Sequence, residues 1–110
     1  MKVDIFIRSK AKGYFANAVY TGEEVIVKNG GRISDSFAEY IRGGKTAKFF
    51  RENEDYVDKE GNILKDCKFK SLSTAAQFVS GRSLDGFNAW KVEEKKNIGK
   101  YLEEKGLRKK

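Results

Sequence analysis

The sequence predicts an α+β fold: an antiparallel β-meander at the amino end packed with short helices, followed by a helix-turn-strand unit and a C-terminal helix. Three observations carry this expectation. Residues 2–27 fall into three strand-like runs, two alternating and one β-branched, separated by short glycine-containing turns. Leu72, Ala75, Ala76 and Val79 recur at i, i+3, i+4 and i+7, which lines four apolar side chains along one helical stripe. Near the carboxyl end, Asn97 precedes Ile98, Tyr101 and Leu102, and Gly106 follows them.

The first run sets Val3, Ile5 and Ile7 against Asp4, Phe6 and Arg8, as in a strand with one buried face. Lys10-Ala11-Lys12-Gly13 reads as a turn. The second run, Tyr14 to Tyr20, places Tyr14, Ala16, Ala18 and Tyr20 on one face and Phe15, Asn17 and Val19 on the other. Thr21-Gly22 turns the chain again, and Val25-Ile26-Val27 forms a third strand ending at Asn29-Gly30-Gly31. Ser36 to Glu39 has capping-box spacing, so a short helix carrying Phe37, Tyr40 and Ile41 is expected to reach Arg42 before Gly43-Gly44 stops it. That glycine pair is also a place where backbone can approach a phosphate, although it lacks the strand-loop-helix context of a phosphate loop. Thr46 is placed to cap a second helix through Asn53, with Phe49 and Phe50 inward and Lys45, Lys48 and Arg51 outward.

Tyr56-Val57 and Ile63-Leu64 flank a five-residue loop and predict a hairpin or a paired bend. Asp58, Glu60 and Asn62 imitate the opening of a calcium loop, but the rest of that pattern is missing and a plain turn is expected. In the 72–79 helix, Ser71, Ser73 and Thr74 all qualify as the cap, and Thr74 with Gln77 has capping-box spacing. Gly81 stands where a left-handed residue closes a helix. Asp85-Gly86 reads as a tight turn, and Phe87, Ala89 and Trp90 as a short strand. Val92 to Lys96 is charged, Asn97 caps the last helix, and Leu107-Arg108-Lys109-Lys110 is a basic tail.

Phe69, Ser71, Ser73, Ala75, Ala76, Val79, Gly81, Arg82, Ser83, Gly86, Phe87, Trp90 and Lys91 stand in an order and spacing that resembles the DUF4357 domain, a small bacterial module of unknown function. Its hallmark reads like F-x-S-P-S-x-A-A, V-x-G-R-S and G-W-x-x-W-K. Leu72 replaces the usual proline and Phe87 the usual tryptophan, which bears on the cap and the core. Gly31-Arg32-Ile33-Ser34 is similar to a further family pattern, G-S-x-I-S. The resulting expectation is one domain over 1–110, with a meander at 1–30, a DUF4357-like segment at 31–92, and a helix with a basic tail at 93–110. The resemblance implies structural roles for Ser71, Ala75, Ala76, Gly81, Gly86, Phe87 and Trp90. It also implies the company of nuclease and restriction-modification proteins, where such segments look like appendages.

The residue inventory narrows the chemistry. With no histidine and one cysteine, Cys67, the chain lacks the ligands of a His/Cys zinc site, the dyads of Ser-His and Cys-His catalysis, and any internal disulfide. No cofactor is expected, and an enzyme is the least favoured class; Cys67 itself reads as an incidental small side chain. No apolar run approaches a membrane span and no leader pattern is visible, so the expected address is the cytoplasm. Net charge is +7, and the segments 1–53, 54–68, 69–92 and 93–110 carry +4, −2, +2 and +3. No single block owns the excess, which suits either a well-solvated surface or a nucleic-acid footprint. Arg82 complements the carbonyls of a helix end or reaches a phosphate, with Ser83 and Lys91 beside it. The leading expectation is a non-catalytic module that binds DNA or RNA through Arg82, Ser83, Lys91, Arg42, Lys45 and Lys48. The alternative is an adaptor that docks another protein on an exposed edge of the amino-terminal meander.

Overall fold

The computed structural model describes residues 1–37 and 45–108. The proposed helix between Ser36 and Arg42 and the Gly43-Gly44 stop lie largely outside the described residues, as do Arg42 itself and the tail residues Lys109 and Lys110. The meander forms as β1 (Val3–Ser9), β2 (Tyr14–Tyr20) and β3 (Val25–Val27). Its register runs from Val3↔Tyr20 to Ser9↔Tyr14, then from Ala18↔Val27 to Tyr20↔Val25. This register puts Val3, Ile5, Ile7, Ala16, Ala18, Val25 and Val27 on one face, and all seven are buried. A slip of one residue would turn that whole set to solvent, so the alternation fixes the pairing.

Three short strands that the sequence does not announce complete the sheet. β4 (Cys67–Phe69) pairs with β3; β5 (Lys91–Glu93) joins β1 at Phe6↔Lys91; β6 (Lys96–Asn97) pairs with β5. The order is β4-β3-β2-β1-β5-β6, with every neighbour antiparallel, and the fold class is α+β. Among the described residues four helices accompany it: α1 (Lys45–Glu52), α2 (Leu72–Ser80), the single turn α3 (Gly86–Ala89) and α4 (Ile98–Glu104). The expected Tyr56/Ile63 hairpin is present as a Val57↔Ile63 bridge, and Asp58 closes its loop as a plain turn by accepting from the amides of Glu60 and Asn62.

α2 packs on β2, β3 and β4, and α1 packs on α2. The predicted stripe of α2 is buried, and so are Gln77, Phe78 and Ser80, because sheet and α1 enclose the helix from two sides. Phe78 meets Phe69 and Phe50 at ring-centroid distances of 5.2 and 6.1 Å. Both ends of α2 are pinned. At the first turn Ser71, rather than Ser73 or Thr74, is the cap and accepts from the Thr74 amide at 3.1 Å. Leu72 is the first helical residue, the position where proline loses no helical bond. Its carbonyl accepts from the Trp90 indole nitrogen at 3.0 Å, and Ser73 Oγ accepts from the Gly86 amide at 3.1 Å. A Cβ on Gly86 would lie 2.3 Å from the Leu72 carbonyl carbon, so only glycine permits this approach.

That approach corrects the expected strand at Phe87 to Trp90. Asp85 accepts from the Phe87 amide and starts a helical turn; the chain is extended again at Trp90, and paired strand begins at Lys91. Trp90 is fully buried. Phe87 is half-buried beneath Arg108, whose guanidinium sits 3.9 Å over its ring.

The far end of α2 shows the second correction. Arg51 points inward, not outward, and Phe49, expected inside, is 59% exposed. Arg51 donates to the carbonyls of Phe78 at 2.9 Å, Ser36 at 3.1 Å and Ser34, and its guanidinium lies over the Phe37 ring. Burial holds its pKa down to about 10 while Asp35 acts in the opposite sense, so it is charged at neutral pH. Ser34 donates to the Ser80 carbonyl at 2.6 Å, and its amide donates to Val79 at 2.8 Å. Gly81 closes the helix at φ +73°, as its position predicts. The two motif segments around Ser34 and Gly81 therefore meet in space.

Gly81 and Gly13 separate backbone strain from close packing, since both hold φ +73° but only Gly81 is crowded, with a Cβ there falling 1.8 Å from the Ser36 carbonyl oxygen. Gly13→Ala should cost about 1 kcal/mol from the left-handed conformation alone. Gly81→Ala should cost about 3 kcal/mol, because overpacking adds to that strain. Urea unfolding of the two variants measures the difference, and equal losses would contradict the pin.

Candidate functional site

The face of the sheet opposite α2 is open. The strand register places Asp4, Phe6 and Arg8 of β1 beside Val19, Asn17 and Phe15 of β2, with Ile26 and Lys68 following across β3 and β4. All are exposed or half-exposed, and Phe15 is 51% exposed on one of the two central strands. Directly opposite pairs alternate with diagonal ones, so Phe6 and Phe15 are diagonal neighbours within side-chain reach. Two shallow clefts follow this surface, one of about 380 Å³ bordered by Phe6, Arg8, Phe15, Asn17 and Glu94, the other of about 360 Å³ bordered by Asp4, Phe6, Asn17, Val19 and Lys28. The Arg8 guanidinium lies 5.3 Å from the Phe6 ring centroid and pairs with Glu94.

Cations collect around the end of the sheet where β1 turns into β2. Arg8 ends the run on β1, and Lys10 and Lys12 stand on the turn. Arg32 is bridged to Phe15, with backbone bonds of 2.8 and 3.0 Å in the two directions. Two residues after Arg32, Ser34 holds the carboxyl end of α2, so Gly81-Arg82-Ser83 leaves the helix at this same end. Arg82 and Ser83 are exposed. Among the described residues Lys10, Lys12, Arg32, Arg82 and Lys91 have no ion-pair partner. The acids close by in sequence or structure are Asp35, Asp85 and Glu94, the last already paired with Arg8.

The residues proposed from sequence are thus divided. Lys91 is exposed opposite Phe6, on the open face, and Arg82 with Ser83 stands at the helix-layer rim of the basic end. Lys45 and Lys48 belong to α1, where Lys48 lies 3.8 Å from Glu52 and borders a cavity of about 400 Å³ that Glu52, Glu54, Asp58 and Glu60 also line. The acidic surroundings there disfavour a polyanion. Arg8, Lys10, Lys12, Arg32 and Phe15 were not singled out, although the run Arg8-Ser9-Lys10-Ala11-Lys12 before Tyr14-Phe15 carried the signal. Reading it only as a turn hid that a hairpin projects its tip charges together with the first outward residue of the next strand.

Residues 6–102 match the family described as "Domain of unknown function (DUF4357)". No curated protein and no solved structure matches the chain. Among the described residues no helix is long and apolar enough to cross a membrane.

Cys67 is buried in β4, and its thiol donates to the Lys65 carbonyl at 3.3 Å. Burial, helped by the neighbouring Asp66 charge, pushes its pKa up from 9.0 to about 12. A thiol held in that form is a poor nucleophile at neutral pH. Iodoacetamide at pH 8 should leave the folded protein unlabelled and modify it rapidly in urea. Because the unfolded thiol ionises first, stability should fall as pH rises from 9 towards 12, and Cys67→Ala should flatten that part of the profile. Rapid labelling of the folded chain would contradict the assignment.

Proposed function

Since the chain belongs to the DUF4357 family, whose description names no activity, we propose its role from its surface: a non-catalytic module that binds nucleic acid through the basic end and open face of its sheet. The observation that carries this reading is the placement of Lys10, Lys12, Arg32 and Lys91, without ion-pair partners among the described residues, beside the exposed Phe15 of a central strand, with Arg82 likewise unpaired at the helix-layer rim of the same end. Cations so placed gain from releasing counterions of a phosphate backbone. The absence of histidine and the buried, protonated thiol favour binding over catalysis. An adaptor that docks a protein strand finds less support. β3 is paired along its length by β4, and the outermost strands are only three and two residues long, which offers little edge for an added strand.

Fluorescence anisotropy with labelled DNA and RNA oligonucleotides between about 25 and 200 mM salt tests the reading. Affinity should fall steeply with salt, with a log-log slope that each phosphate contact steepens by about 0.7–0.9. The double variant Lys10→Glu/Lys12→Glu should weaken binding at least about tenfold at low salt and reduce the slope, whereas Lys48→Glu should change little. No binding to any probe at the lowest salt, or binding indifferent to salt, would overturn it.

A further inference from the structure

A basic patch alone attracts any polyanion. What distinguishes this surface is where its exposed ring sits. Phe15 projects from β2 with half its surface in water, although β2 is one of the two innermost strands of the sheet and elsewhere buries Ala16 and Ala18. Burial does not account for a phenylalanine there, since its side chain faces away from the core. Its direct cross-strand partner is Arg8, and the next pair along the face is Phe6 with Asn17. Phe15 and Arg8 are therefore cross-strand neighbours on the open face, with the Arg8 guanidinium over the half-buried Phe6 and paired with Glu94. Asn17 beside them is exposed and offers both a donor and an acceptor. Lys91 flanks this group across β1, Arg32 flanks it across β2, and Lys10 and Lys12 stand on the turn. Asp4, Asp85 and Glu94 are acids on its border, and Glu94 is matched by Arg8.

We propose that this face is a stacking platform for single-stranded nucleic acid, in which one unpaired base lies on Phe15, a neighbouring base meets Arg8 and Asn17, and the backbone follows Lys91, Lys10, Lys12 and Arg32. The proposal rests on the nucleic-acid reading above and narrows it to unpaired strands. The physical reason is geometric: bases in a duplex already stack on one another and present only their edges, so a ring standing on an open sheet has nothing to cover. An unpaired base exposes its whole face, and aromatic side chains on open sheets capture such faces with little sequence preference. The flanking cations supply the charge complementarity that a purely apolar partner would leave unused.

The experiment compares single-stranded and blunt duplex oligonucleotides of equal length, at about 25 mM salt, with the wild-type chain, Phe15→Ala and Phe15→Trp, circular dichroism confirming each fold. The single strand should bind more tightly than the duplex, and Phe15→Ala should weaken it by about fivefold or more while leaving duplex affinity unchanged. Phe15→Trp should retain binding. Trp90 is fully buried and out of reach of a stacking base, so quenching by the single strand, measured against the wild-type signal, reports on the new indole. Equal affinity for both forms, with no loss in Phe15→Ala and no quenching in Phe15→Trp, would overturn the platform and leave the electrostatic reading standing. Failure to bind either form would overturn both.

Discussion

The rest of the structure depends on the anchoring of α2 at its two ends. Burying a helix on two sides leaves its terminal amides and carbonyls without water, and each needs a partner inside the protein. At the first turn Ser71 accepts from an orphan amide, while the Trp90 indole donates to the Leu72 carbonyl and so ties Trp90 to the helix. At the last turn Gly81 reverses the chain, Ser34 takes the Ser80 carbonyl, and Arg51 takes that of Phe78. A hydrogen bond to a charged donor is worth about 1.5–3 kcal/mol where it is shielded from water, so the half-buried Arg51 contributes through its bonds to three carbonyls what a neutral side chain would not. The small residues Ala75 and Ala76 are fully buried between these ends and keep the helix close to its neighbours.

This anchoring decides how the motif residues are to be read. Ser71, Gly81, Gly86 and Trp90 are engaged in holding α2, and Phe87 in packing between Arg108 and Gly99. Each has a mechanical reason to be the residue it is. With these residues occupied, the groups that the proposed function assigns to a ligand are those on the far side of the sheet and at its β1–β2 end. Arg82 joins the two, since its backbone turns on the Ser80 hydroxyl while its side chain is exposed at the basic end.

Much of the fold was legible in the sequence because its longer elements repeat one local preference many times. β1 and β2 each alternate over seven residues, and α2 and α4 carry both a stripe and caps, so Ser71, Gly81, Asn97 and Gly106 bound what the spacing predicts. The misreadings fall where a distant contact outweighs the local pattern. Phe87, Ala89 and Trp90 have strand-like composition, yet the approach of Gly86 to Leu72 and the cap by Asp85 wind Gly86 to Ala89 into a helical turn. The charge of Arg51 suggested solvent, because the carbonyls that draw it inward come from residues 34–36 and 78, far along the chain. β4, β5 and β6 are two or three residues long and exist only because β3 and β1 present edges to pair with. The candidate site was the least legible part, since a surface assembled from β1, β2, β5 and the Arg32 bridge has no sequence motif of its own.

The central claim is that the pinned helix layer is structural and the opposite face of the sheet receives the ligand. The most direct measurement is a titration of the isotope-labelled protein with an unpaired oligonucleotide, following each backbone amide by NMR. Shifts concentrated at Arg8, Lys10, Lys12, Phe15, Asn17, Arg32 and Lys91, with the interior of α2 unmoved, are the predicted result. Shifts confined to α1 and its acidic cavity, with β1 and β2 silent, would contradict it.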